Sequence, residues 1–221
     1  MNPTPPRIHS QACWSCRGPT PAGLFCTTCN ALLPPDMGAN RFALFGLEPS
    51  YEPDAAILEK NHRALQKQLH PDFFAQRGPT ERRLSLEWTT RLNEAWQTLT
   101  DPVARAGYLL ELLGWKSTGR PALDPEFLEE VMTLREALEE VDPLAPDALP
   151  KLATLKTTAR GRLKVEESQI AHWFRRAHSH EHPPSTDALG EIARLVDRMR
   201  YHRRYLEELD RLEDRAFDQD A

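Results

Sequence analysis

The stretch Pro53-Asp54-Ala-Ala-Ile-Leu58-Glu-Lys60-Asn-His62-Arg63-Ala-Leu65-Gln-Lys67-Gln-Leu69-His70-Pro71-Asp72 decides the fold. Leu58, His62, Leu65 and Leu69 recur at helical spacing and share one face. Lys60, Arg63 and Lys67 have the same spacing, and at about 100° per residue their stripe points away from the leucines. Pro71 biases His70 out of the α region, so the helix ends there and leaves two polar side chains on a rigid turn. A second helix is expected from Pro79 to Leu99, with Leu84, Trp88, Leu92, Ala95, Trp96 and Leu99 as its apolar face. Asp101-Pro102 ends that helix and caps the next, which runs to about Leu113-Gly114. Two antiparallel helices joined by His-Pro-Asp form a hairpin, and neither a nucleophile nor a pocket accompanies the two polar groups.

Working outward, the first 38 residues differ in texture. They carry Pro3, Pro5, Pro6, Pro19, Pro21, Pro34 and Pro35, which exclude a long helix. All four cysteines lie there, as Cys13-x2-Cys16 and Cys26-x2-Cys29, two knuckles that each offer two thiolates to one tetrahedral ion. Gly18, Pro19 and Gly23 supply the turns that let the knuckles face each other. So short a segment buries little core, and a structural zinc ion would supply its folding energy. A disulfide pair and a redox-active Cys-x-x-Cys are the competing readings, both set against this spacing. Four thiolate ligands leave no open position on the metal for catalysis.

C-terminal to the hairpin, Asp124 to Val141 is expected to be helical. Its core stripe is Phe127, Val131, Leu134, Leu138 and Val141. A second line, Leu128, Met132, Glu136 and Glu140, is apolar at one end and acidic at the other, and by spacing alone it reads equally as a solvated edge. Helices from Leu149 to Arg176 and from Thr186 through Leu212 complete a three-helix antiparallel arrangement. Residues 114–123 and 177–186 read as loops, and His178-Ser-His180-Glu-His182 reads as a solvated loop without the scaffold a metal needs. Arg194, Arg198, Arg200, Arg203 and Arg204 are balanced by Glu207, Glu208 and Asp210, which favours pairing with the acidic helix over nucleic acid.

The whole is therefore all-α: a helical hairpin, a C-terminal three-helix bundle and a small metal module. The boundaries are 1–38, 39–114 and 120–221. The 221 residues hold 28 Lys+Arg against 33 Asp+Glu, a net charge of −5, which disfavours broad nucleic-acid affinity. No run is apolar enough to span a bilayer, and neither a secretory signal nor a transit peptide is expected, which points to the cytoplasm.

A basic-faced helix, His70-Pro71-Asp72 and a packing antiparallel helix resemble a J-domain, the module that activates DnaK/HscA-type chaperone ATPases. The flanks narrow the likeness. Arg41-Phe-Ala-Leu-Phe-Gly-Leu47, Leu92-Asn-Glu-Ala-Trp-Gln-Thr-Leu99, Asp101-Pro102 and Arg105-Ala-Gly-Tyr-Leu-Leu110 resemble the HscB family over residues 40–210. The tetracysteine segment is similar to the eukaryotic branch and to some bacterial members, and a eukaryotic chain would belong in the mitochondrial matrix. The resemblance implies a non-enzymatic co-chaperone. Asp72 would pair with a cation on the ATPase, His70 and Pro71 would hold the loop, and Lys60, Arg63 and Lys67 would meet an acidic groove. It further implies binding of the iron–sulfur scaffold IscU through Leu128, Met132, Glu136 and Glu140, with Tyr201 of Arg198-Met-Arg-Tyr201 as another contact. Three positions depart from the family pattern: Phe73 stands where many members carry Lys, and Glu129 and Thr133 replace an apolar and an acidic residue. The rival functions are a generalist J-protein delivering unfolded clients, a zinc-knuckle nucleic-acid adaptor and a thiol oxidoreductase.

Overall fold

A computed structural model describes residues 11–116, 124–179 and 185–217. Seven helices account for most of them, with one two-stranded ribbon at the N-terminus. By contacts the chain divides into two compact units, one of 1–49 with 53–100 and one of 50–52 with 101–221.

In the first unit, strands β1 (Gln11–Ala12) and β2 (Pro19–Thr20) pair antiparallel around the first cysteine knuckle. A single 3-10 turn, Ala43–Phe45, closes on Gly46, whose φ of 64° is open to a residue without Cβ. Helix α1 spans Ala55–Leu69. Asp54 caps it, accepting from the backbone N–H of Ala56 at 2.9 Å and of Ile57 at 3.0 Å. It stops at Leu69 because His70 adopts φ −55° and ψ 128°, the extended conformation that a following proline favours. The His-Pro-Asp stretch is not all loop, however. Pro71 starts a four-residue helix α2, Pro71–Phe74, since its fixed φ suits a first helical position and it has no N–H to leave unmet.

Helix α3, Pro79–Thr100, returns along α1: Ser85 meets Leu69, and Trp96 stacks on His62 with centroids 4.0 Å apart. Leu84, Trp88, Leu92, Ala95 and Leu99 are buried as their spacing predicts, while Trp96 is half-buried on the His62 ring.

The second unit begins, after residues 50–52, at Asp101, whose Oδ1 accepts from Ala104 N–H at 2.7 Å and caps α4, Pro102–Leu112. Helix α5 is Pro125–Glu139, α6 is Ala148–Ser179 and α7 is Thr186–Phe217. Helix α6 thus continues to Ser179, past the loop start expected at 177; residues 180–184, with His180 and His182, lie outside the described residues. Val103, Ala106, Leu109 and Leu110 are buried on α4, which packs against α7. By contacts α4 therefore joins the C-terminal unit, although the expected segment 39–114 groups it with the hairpin.

Leu134, Val141, Leu152, Ala159, Tyr205 and Leu209 form the core between α5, α6 and α7. Tyr51 joins this unit by stacking on Phe174 at 5.5 Å beneath the guanidinium of Arg105. At about 25 cal/mol per Å² of apolar area removed from water, these stripes dominate the stability of the bundle.

Candidate functional site

Three groups of residues are the candidates for the expected roles, and each is built by its local fold. The first is the tetracysteine cluster. Cys13 and Cys26 open two turns of matching design. Arg17 donates its N–H to Cys13 O at 2.9 Å, and Asn30 donates to Cys26 O at 3.0 Å. Both closing residues take positive φ, 60° and 57°. Ser15 N–H points at Cys13 Sγ and Thr28 N–H at Cys26 Sγ, each at 3.4 Å. The four Sγ atoms all lie within 4.8 Å of one another, with Cys13–Cys29 at 3.7 Å and Cys16–Cys26 at 3.8 Å.

Zinc–thiolate bonds of about 2.3 Å in a tetrahedron place sulfurs about 3.8 Å apart, so the donor set fits a zinc ion, whereas a disulfide needs about 2.05 Å. All four thiols are free. The backbone N–H groups of Cys29 and Thr28 draw the Cys26 thiol down to about 6, a ready thiolate near neutral pH. The opposite holds for Cys16: Gly18 lowers it by a backbone hydrogen bond, but burial and the three neighbouring thiols leave it raised to about 11.

The second group is the His70-Pro71-Asp72 turn. Asp72 has a side chain 88% exposed and His70 one 56% exposed. His70 Nδ1 accepts from Asp72 N–H at 3.3 Å and lies 3.5 Å from Asp72 Oδ2, so the imidazole caps α2 and flanks the carboxylate. Phe73 projects beside them, 64% exposed. Behind the turn, Ser85 Oγ donates to Leu69 O at 2.8 Å and Thr89 Oγ1 to the same oxygen at 3.4 Å. Lys60, Arg63 and Lys67 are all exposed on α1, as the stripe predicts. Arg63 pairs with Glu59 one turn back.

The third group lies on α5. Leu128 and Met132 are 45% and 62% exposed, and Glu136 and Glu140 continue the same exposed line. Glu140 is the C-cap of α5, where the helix dipole disfavours its carboxylate and Lys151 of α6 lies within electrostatic reach of it. Tyr201 of α7 is half-buried rather than displayed. Its hydroxyl donates to Val131 O at 3.3 Å and its ring meets Phe127 edge-on at 5.6 Å.

Beneath this face is an ionic network that the sequence spacing does not reveal. The fully buried His202 of α7 places Nδ1 3.0 Å from Glu166 Oε2 and Nε2 2.8 Å from Glu130 Oε1. Arg198 Nε donates to Glu166 at 3.1 Å and Nη2 to Glu130 at 3.4 Å, while Arg162 also pairs with Glu130. The basic run of α7 is therefore largely spent on pairing: Arg194 with Glu191, Arg200 with Asp197 and Arg203 with Asp101. No described helix is long and apolar enough to cross a membrane.

Comparison with known proteins agrees with these features. A family model described as the HSCB C-terminal oligomerisation domain matches residues 123–210. The iron–sulfur cluster co-chaperone protein HscB homolog of Arabidopsis thaliana is 31% identical over 198 residues, covering 89% of this chain and 72% of that relative. The co-chaperone protein HscB homolog of Shewanella halifaxensis is 33% identical over 190 residues, 81% of this chain and 99% of the relative. The crystal structure of human co-chaperone protein HscB superposes with a TM-score of 0.79 at 29% identity, covering 90% of this chain and 97% of that one. With its tetracysteine module and J-type hairpin, the chain belongs to the HscB family of iron–sulfur cluster co-chaperones, in the branch that carries the N-terminal cysteine knuckles.

Proposed function

We propose that this co-chaperone stimulates the ATPase of an HscA/DnaK-type chaperone through His70-Pro71-Asp72 and delivers an IscU-type scaffold through α5. The observation that carries the reading is the Asp72 carboxylate, 88% exposed and, among the described residues, paired only with His70 of its own loop. An exposed carboxylate on a rigid turn suits a cation on another molecule. Lys60, Arg63 and Lys67 then favour fast, salt-sensitive encounter with an acidic groove. Such an interaction is transient, as a regulator of ATP hydrolysis requires. His70 fixes the loop, and the role read for it is that of a co-chaperone, which acts by binding its partners.

On α5, Leu128 and Met132 supply an apolar centre rimmed by Glu136 and Glu140, a pattern suited to a scaffold with a small apolar patch and a basic edge. Tyr201 supports that face from behind, through Phe127 and Val131, with its ring edge as a further contact. Zinc is the ion proposed for Cys13, Cys16, Cys26 and Cys29, where it would supply folding energy. A reducing compartment, the cytoplasm or the mitochondrial matrix of a eukaryote, keeps four such thiols available.

The test is paired. Asp72→Asn is expected to abolish stimulation of the chaperone ATPase while scaffold binding and helix content stay as in the parent. Leu128→Ala with Met132→Ala is expected to weaken scaffold binding at least tenfold while stimulation measured without scaffold persists. Full stimulation by the Asp72 variant would refute the assignment of the loop.

A further inference from the structure

The cysteine module and the hairpin that bears the loop lie in one compact unit, and a short series of buried contacts runs from one to the other. Asn30 closes the second knuckle, and the chain passes into Ala31, Leu32 and Leu33. Cys26 N–H donates to Ala31 O at 2.9 Å and Leu33 N–H to Leu24 O at 2.8 Å, which fixes Leu32-Leu33 to the knuckle. Both leucines are buried, and two indoles close on their carbonyls. Trp14 donates Nε1–H to Leu32 O at 2.8 Å from within the first knuckle. Trp88, on α3, donates Nε1–H to Leu33 O at 2.7 Å. Ser85 and Thr89, on the same stretch of α3 as Trp88, are the residues whose hydroxyls hold Leu69 O, immediately before His70.

We propose that a metal ion in the tetracysteine cluster braces the His70-Pro71-Asp72 loop, with Trp88 as the positioning residue that carries the restraint from Leu33 through α3 to Leu69. The donor set fits a tetrahedral ion, as the sulfur distances show. The buried apolar cluster within the module consists of Cys13, Cys26, Ala31 and Leu33, too little to hold Leu33 in place unless the ion does so. A half-open cleft of about 250 Å³ lies between module and hairpin, lined by Leu24, Leu65, Leu69, Trp88 and Leu92 among others. Walls that face a cleft have fewer packing partners, so the Trp88–Leu33 bond adds a directional restraint there. The indole N–H of Trp88 is buried and has Leu33 O as its acceptor, so loss of an ordered Leu33 leaves a donor unmet inside α3. The brace stands on the fold alone; its consequence for a chaperone rests on the role proposed above for Asp72.

Hydrogen exchange on the full chain tests this without any chaperone present. The zinc-loaded protein is compared with protein stripped by EDTA and with zinc-loaded Trp88→Phe, zinc content being read with a chromogenic chelator. Stripping is expected to raise exchange at least tenfold at the amides of residues 66–69 and 84–92, while α7 amides are unchanged. Trp88→Phe, at full zinc occupancy, is expected to show the same pattern at smaller amplitude, and by reciprocity to hold zinc two- to fivefold more weakly. Parent-like exchange at 66–69 in zinc-loaded Trp88→Phe overturns the proposal, and so does exchange there that is indifferent to stripping. Should the stripped chain precipitate, the Trp88→Phe comparison decides alone. ATPase stimulation enters neither readout, so failure here is distinct from failure of the Asp72 assignment.

Discussion

The unit of 1–49 and 53–100 offers a polar turn, whereas the unit of 50–52 and 101–221 offers a helix face, and the two are made rigid by different means. The turn is held from the backbone: His70 caps α2 with its imidazole, and Leu69 O receives two hydroxyls from α3. The helix face is held by side chains, through the network of the buried Glu166 and His202 with the partly buried Glu130 and Arg198 beneath α5. A turn can present one carboxylate on a few hydrogen bonds, here one to His70 and two from α3. A face of four residues needs its whole helix fixed in rotation, and a network with exacting donor and acceptor directions is suited to fixing it.

The contrast is broken most directly at Glu166, 2% exposed and facing both Arg198 and His202. Glu166→Ala takes from the buried His202 and the partly exposed Arg198 a carboxylate they share, and with Glu130 still in place the loss is expected to be about 2–3 kcal/mol. Urea unfolding followed through α6 and α7 is expected to show that loss, with the hairpin unit unaffected. A loss below about 1 kcal/mol would mean that the apolar core sets the rotation of α5 and that the network is incidental.

The caps of α1 and α5 sharpen the same comparison at smaller scale. Asp54 accepts from two backbone N–H groups, and Asp124 accepts from Phe127 N–H at 2.7 Å while lying 3.9 Å from Arg198. Replacing an N-cap aspartate by alanine costs about 1 kcal/mol. Asp54→Ala is expected to reach that figure, and Asp124→Ala to exceed it slightly, because Asp124 also touches the network.

Much of this was legible in sequence. Leu84, Trp88, Leu92 and Leu99 were readable as one buried face because a 3.6-residue period leaves little alternative, and the cysteine spacing alone foretold four convergent thiols. Asp101-Pro102 announced both a helix end and the next cap. The network was not legible, since Glu130, Glu166 and His202 come from three helices and each alone resembles a solvated residue. Helix α2 was missed for a related reason: four residues are too few to show a period, and Pro71 signals a stop before it signals a start. The local motif around Tyr201 points to a contact residue, yet only the fold reveals that its hydroxyl is tied to Val131 O.

The smallest effect expected concerns His62, and it separates the hairpin from the bundle by pH. His62 is buried against Trp96 and Phe45, its Nε2 without a hydrogen-bond partner, and burial lowers its pKa below the ordinary 6.5. The neutral ring is thus the form the folded hairpin accepts. Because the folded pKa lies below the unfolded one, the unfolded chain binds the extra proton first as pH falls. The contribution of His62 is complete above about 6.5 and is lost progressively as pH drops from there through the folded pKa. The hairpin of the zinc-loaded parent is expected to lose a few degrees of thermal midpoint between pH 7.5 and 5.5. His62→Phe, which keeps an aromatic ring against Trp96 but cannot take a proton, is expected to lose less over the same range. Both proteins carry the same cysteine cluster, so the difference between their slopes isolates the imidazole from proton competition for the metal. Equal slopes would show that the imidazole protonates in the folded hairpin as readily as in the unfolded chain, and the pH response would then belong to the thiolates.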